Sequence, residues 1–362
     1  MADLPFSHYL NKRVRITPEG LEIEDRRVRL DEMLDFGAPV GAVAARDLAR
    51  AVAAHTALAG GVCHPQLAAL VFTAAGAERA LDWYFPITAV LDADEIADFY
   101  QLIDALTHHP ELDTRLLGED RSDLTVQMPA DSRAIVAGHL AEIFFYRRDI
   151  LDRLLSAPRH FRLYATPRAF EQDGGVAGGD YSPATESVQL VLSRLYEGFW
   201  GATPGAAPFL HEFGHMLDFF NAGDGRMGHS EGLLPGLSPA DGAIYTPDAR
   251  QLFLIGKRLE LERYLHRCHG GAAASDPLPI GHPYVFQNDT EFIAGYFEMF
   301  FRNPHYFAEQ NPALYDGFME LFRQDPRRAW KEDFPYYVRE NRAFYLTSGQ
   351  EPWAPGLTVP ER

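Results

Sequence analysis

Cysteine is nearly absent, with only Cys63 and Cys268 in 362 residues. A disulfide framework is not indicated, and the expectation is a cytoplasmic protein with reduced thiols. Basic charge is scarce as well: 33 Lys and Arg stand against 51 Asp and Glu, a formal net charge of −18. Such a surface repels phosphate backbones and anionic lipid. The densest basic groups, such as Arg26–Arg27 and Arg327–Arg328, are short, so neither nucleic acid nor membrane is expected as a partner. No apolar run approaches the roughly 18 residues of a membrane-spanning helix, and the longest, near LAALVFTAAGA, stops at Glu78. The opening MADLPFSHYLNKRVRI has neither the basic start nor the apolar core of a signal peptide. Internal repeats and long low-complexity tracts are missing too.

What remains is a composition suited to a packed core, 46% hydrophobic and 12% aromatic. RVRITPEGLEIEDRRVRL alternates around a Pro-Glu-Gly turn and predicts a small antiparallel meander. From Pro39 to about Ile150 the spacing of apolar residues is mostly helical, as in AARDLARAVAAHTALAG and DSRAIVAGHLAEIFFYRRDILDRLL. His55 and His139 lie inside those stretches without spaced partners and read as core or boundary residues. After Pro158 the texture changes. HFRLYAT and ESVQLVLS read as strands joined by EQDGGVAGGD, a Gly-rich connector that lacks the ending of a phosphate-binding loop. Helices follow around Arg250–Arg267, Thr290–Arg302 and NPALYDGFMELFRQDP. A boundary near residue 150 therefore divides 1–150, a meander plus helices, from 151–362, although the two could form one compact unit. HRCH at His266–His269 lacks a second Cys/His cluster and reads as helix surface.

The chemistry is concentrated in PFLHEFGHMLDFFNAGDG, where His211 and His215 are four residues apart and Glu212 follows the first. Pro208 suits the first turn of a helix and NAGDG supplies its stop. On a helix, the two imidazoles share one face and can meet one ion. Glu212 lies about 100° further round, beside the ion, where the general base for a zinc-activated water belongs. Gly214 costs about 1 kcal/mol relative to alanine, which a close approach by another backbone would justify. Asp218, three residues after His215, either accepts a hydrogen bond from a ligand imidazole or is a surface acid near the helix end.

A catalytic zinc takes three protein ligands. Six residues beyond His215 stands Asn221, so the extended metzincin pattern fails. A glutamate in HPYVFQNDTEFIAGYFEMFFRNP remains. Asn288 to Glu291 has the form of a capping box, which places Glu291 in the first turn of a new helix. Glu298 is seven residues on, about two turns or roughly 10 Å along the axis, so one ion does not easily use both. Glu298 is expected instead to pair with a ligand or a basic group.

LHEFGHMLD and NAGDG, followed by TEFIAGYFEMFFRNP and NPALYDGFMELFRQDP, resemble the Mlc titration factor A family of bacterial zinc peptidases. That family's catalytic core is similar to the anthrax lethal factor protease domain. The resemblance covers roughly Pro158 to Pro326, and FFNAGDG departs from the family's usual second Leu-Asp-Gly-like step. It implies Zn2+ held by His211, His215 and Glu291, with Glu212 as base, and an oxyanion-stabilising tyrosine seven residues before the glutamate, Tyr284. The expected fold is α+β, predominantly helical, with a zincin-like core and a small sheet beside the zinc helix. The expected partner is a peptide or protein substrate. ESVQLVLS would hold it by strand addition if its edge is free, and the loop Gly270–Pro283 would gate the cleft. The resemblance also admits a regulatory protein that sequesters a transcriptional repressor, with zinc structural or vestigial. A secreted, lethal-factor-like protease is the third reading.

Overall fold

The computed structural model describes residues 14–17, 20–23, 26–29, 85–128, 130–176, 178–195, 206–221, 225–228, 234, 247–268, 276–330, 333, 335–347 and 354–359. These residues are mostly helical with a small mixed four-stranded sheet, an α+β arrangement. They belong to two compact units. One holds the described parts of Met1–Thr107 and Pro129–Glu142, and the other those of His108–Met128, Ile143–Leu195 and Gly205–Arg362.

The first unit contains the expected meander, β1 (Val14–Thr17), β2 (Gly20–Ile23) and β3 (Arg26–Arg29), paired antiparallel in that order. Helix α1 (Ala93–Thr107) and most of α2 (Ala130–Phe144) complete its described part. His139 is buried edge-on to Phe85, and His55 lies outside the described residues.

The second unit carries the chemistry. In chain order it comprises β4 (Leu112–Leu117), α3 (Arg148–Leu154), β5 (Arg159–Tyr164), α4 (Pro167–Gln172), β6 (Gly179–Ser182), β7 (Ser187–Val191) and α5 (Leu192–Leu195). Then follow α6 (Pro208–Phe219), the short pair β8 (Phe220–Asn221) and β9 (Arg226–Met227), and α7 (Pro247–Cys268). Helices α8 (Asp289–Arg302), α9 (Pro304–Gln310), α10 (Pro312–Phe322) and α11 (Pro335–Thr347) complete it. The sheet order is β4-β5-β7-β6, with β4, β5 and β7 parallel and β6 antiparallel to β7.

Several expectations are corrected here. ESVQLVLS has no free edge, because β7 is hydrogen-bonded to β5 on one side and β6 on the other; the outer strand is β6. The Gly-rich segment is more than a connector: Glu171 and Gln172 finish α4, and Gly179 and Asp180 open β6. The stretch read as helical up to Ile150 contains β4, a strand whose parallel pairing with β5 outweighs local pattern. The helical run over 131–155 breaks at Phe145–Arg147, where Arg147 leaves helical geometry. Its guanidinium is held by Asp149 and the Leu321 carbonyl. Among the described residues, no helix is long and apolar enough to cross a membrane.

Helix α6 starts with Pro208 at its first turn and packs on the sheet through Phe209 and Phe213, both stacked on Phe161 of β5. Its other face meets α8. A β-carbon at Gly214 would lie 2.9 Å from the Ala294 α-carbon and 3.3 Å from the Phe297 ring. The glycine thus permits the close backbone approach that its helix-propensity cost called for. Beyond that crossing, Phe297, Phe300 and Phe301 of α8 pack against Phe318 and Phe322 of α10, with ring centroids 5.3–6.5 Å apart. Contacts of this kind are worth about 0.5–1.5 kcal/mol each beyond their buried area. Gly214→Val adds side-chain atoms where backbone already stands, and is expected to destabilise the protein by about 1–3 kcal/mol in urea denaturation.

Candidate metal centre

His211 and His215, one turn apart on α6, present their rings 4.9 Å apart. Glu291 enters from the first turn of α8. Asn288 caps that helix by accepting a hydrogen bond from the Glu291 amide at 2.9 Å, the arrangement the capping pattern predicts. The cap employs the glutamate's backbone and leaves its side chain for the histidines. Glu291 Oε2 lies 3.2 Å from His211 Nε2 and 3.5 Å from His215 Nε2. One donor atom from each residue falls within 4.8 Å of the other two, the one such group of three among the described residues. Two imidazole nitrogens and a carboxylate oxygen converging in this way fit the donor set of a catalytic zinc.

The rings' other nitrogens are turned away toward partners. His211 Nδ1 faces Glu298 Oε2 at 3.5 Å, and His215 Nδ1 lies 3.0 Å from Thr290 Oγ1. Both leave Nε2 to the centre, the usual device for fixing a ligand's tautomer and orientation. Glu298 thus takes the supporting place expected of it. It also accepts a hydrogen bond from the Ala207 amide at the start of α6, where a helix end favours negative charge. Asp218 is buried one turn below His215, but the groups facing that ring are Thr290 and Glu291; its charge acts on Lys257. Thr290 carries no sequence pattern and was not foreseen. Nor was the fully buried Lys257, whose ammonium binds Asp289 and so ties α7 to the first turn of the ligand helix.

Tyr284 donates its hydroxyl to Glu291 Oε1 at 2.7 Å. The two carboxylate oxygens of Glu291 are therefore divided, one toward the imidazoles and one toward the phenol. The segment leading to Tyr284 is gripped by buried side chains. Glu260 accepts from the Ile280 amide at 2.9 Å and from the Tyr296 hydroxyl, which itself accepts from the Gly281 amide at 3.2 Å. From α11, Tyr345 donates to the Gly281 carbonyl at 2.7 Å and Asn341 to that of Ile280 at 3.3 Å. Of the loop expected to gate the cleft, 270–275 lies outside the described residues, and the part next to Tyr284 is clamped.

Glu212 is 9% exposed. Gly179, which opens β6, makes room for it: a β-carbon there would lie 2.8 Å from Glu212 Oε1. Sequence reasoning passed over Gly179 and Asp180, although DYSPATESVQ carries the two polar-apolar runs and the turn residues of a hairpin. These groups line a cleft of about 550 Å³ that includes Asp180, Arg194, His211, Glu212, Tyr284 and Glu298. The other motif with metal-like spacing, HRCH, ends α7; its His266 pairs with Asp276 at 3.1 Å, and His269 lies outside the described residues.

No protein-family model matches the chain, and no curated protein matches it.

The electrostatics follow from the crowding of carboxylates. Burial pulls the His211 pKa down, but hydrogen bonds to Glu291 and Glu298 outweigh it and raise the pKa well above the usual imidazole range. Burial raises that of Glu291, yet bonds from His211 and His215 hold it far below the usual carboxylate range. Glu212 is pushed up, first by burial, with Glu291 and Asp180 adding to the effect of their charge. Burial and Glu291 together keep Tyr284 a protonated phenol. A proton that His211 holds at neutral pH must leave before Nε2 can ligate a metal. Zinc binding to the metal-free protein at pH 7.5 should therefore release protons, and more steeply weaken as pH falls. Calorimetry in buffers of different ionisation enthalpy measures this, and Glu291→Ala should lower the bound zinc in elemental analysis.

Proposed function

We propose that the protein is a zinc-dependent peptidase of the zincin type, with His211, His215 and Glu291 as ligands and Glu212 as general base. The observation that carries the reading is the convergence of the three donor atoms within 4.8 Å of one another, with the buried Glu212 carboxylate lining the same cleft. The chemistry an ion supplies when bound there is polarisation of the scissile carbonyl and a fall in the pKa of the attacking water from about 16 toward about 7.

The remaining work belongs to side chains. Glu212, with its pKa raised by burial, accepts the proton of the attacking water and returns it to the leaving amine. The poise matters, because a carboxylate of ordinary acidity takes up that proton less readily. Tyr284 remains protonated and lies one hydrogen bond from the ligand carboxylate, a donor available to the negative charge that develops on the carbonyl oxygen. Substrate backbone adds to the outer strand β6, which runs past Glu212 and pairs on its other side with β7. The sequence resemblance to zinc peptidases points the same way.

Glu212→Gln is expected to keep its zinc and lose hydrolysis of unstructured peptides; turnover retained in that variant removes Glu212 as base. Tyr284→Phe is expected to lower kcat by about 10²-fold at unchanged zinc content, as the loss of one oxyanion donor does elsewhere.

A further inference from the structure

We infer that Arg194 forms a carboxylate-reading subsite in the cleft, so that preferred peptides carry a carboxylate within about two residues of the bond that is cut. The inference rests on the peptidase reading of the same cleft and names its substrate class.

Arg194 lines the cleft together with His211, Glu212 and Tyr284. Its arm lies against Gly178: a β-carbon there would meet Arg194 Cγ, Cδ and Nε at 3.2–3.3 Å, and the glycine adopts φ +85°. The missing side chain at Gly178 thus seats the guanidinium arm at the very start of the outer strand. The next residue, Gly179, is the one level with Glu212. Strand residues advance by about 3.3 Å each. An extended chain laid along β6 with its reacting carbonyl beside Glu212 therefore has a neighbouring residue beside Arg194.

The charge pattern says what that residue offers. The other charged side chains described along the cleft wall are Asp180, Glu212 and Glu298, all acidic, besides His211. A substrate carboxylate placed against them meets like charge, whereas at Arg194 it meets a planar fork of donors that matches its two oxygens. The carboxylate has two sources, an Asp or Glu side chain or a free C-terminus. The chemistry is shared.

The test is equilibrium binding to the zinc-loaded Glu212→Gln protein, in which peptide is held uncut. Fluorescence anisotropy compares labelled peptides of one apolar sequence with Glu or Gln beside the central bond, each with a free or amidated C-terminus. The expected result is at least tenfold tighter binding of a carboxylate-bearing peptide, and the pairwise comparison identifies the source. Adding Arg194→Gln should abolish the difference and leave the uncharged peptide's affinity within about twofold. Arg194→Lys, which keeps the charge and most of the arm, should retain part of it, and zinc content checks that each variant is folded. Equal binding of charged and uncharged peptides, no measurable binding of any, or a preference that survives Arg194→Gln overturns the subsite. Hydrolysis of the same peptides by protein with Glu212 intact reports separately on the peptidase reading. Carboxylate preference without turnover keeps the subsite and removes that reading, and turnover without preference does the reverse.

Discussion

Two helices can offer side chains to one ion only where their axes come close, and here that approach depends on Gly214. It lies between the two histidines in sequence, and the residue it meets, Ala294, stands three after Glu291. The contact is thus within one turn of every ligand. A larger residue at either position would part the helices there, and the glutamate would be the first donor to lose reach. Helix α8 is held at this depth from behind by the phenylalanines it shares with α10, and α6 from the other side by Phe161 of the sheet. The about 1 kcal/mol that glycine costs inside a helix is offset by this contact. Packing sets the distance, and the ligands only use it.

The crossing also brings together more negative charge than a protein interior tolerates alone. Glu212, Glu291 and Glu298 are all largely buried near two imidazoles. Burying an unpaired carboxylate is costly, and the usual escape is protonation or pairing. The pKa directions express this: His211 is driven toward its charged form, Glu212 toward its neutral one. A divalent cation between the rings supplies the missing positive charge and relieves both tendencies. The same logic governs the surroundings, where Lys257 faces Asp289 and Glu260 collects donors from Ile280, Tyr296 and Arg263. Each fixes a backbone segment that carries a side chain of the site.

How much of this was legible depends on how local each feature is. The paired histidines and their base could be read because a helix repeats every 3.6 residues, which places them without any tertiary knowledge. Glu291 was legible as a first-turn residue through Asn288. The two-turn separation of Glu298 was enough to deny it the same ion, and α8 carries it alongside α6 to the far nitrogen of His211. Thr290 and Arg194 could not be foreseen, since a hydroxyl or a guanidinium has no spacing of its own. Strand order was invisible for a different reason. A strand buried on both faces, such as β7, has the same apolar run whether it is central or at an edge. Its partner β6 begins with Gly-Asp, which by composition alone reads as loop.

That substitution of β6 for β7 at the edge changes the chemistry available to the cleft. An outer strand is ordinarily a liability, because its unpaired backbone groups invite another chain. β6 carries two features that limit the invitation. It is only four residues long, and the exposed Asp180 places a charge on it. Gly179 does the opposite. Without a side chain it lets the Glu212 carboxylate come up to the strand backbone, and an alanine in its place would press on that carboxylate and on Leu190. A strand that served only to close the sheet would gain stability from a residue larger than glycine there, since glycine weakens strand interiors. What glycine gives in return is a buried acid standing directly beside an open hydrogen-bonding edge, which is the geometry a peptide needs to be held and cut in one place.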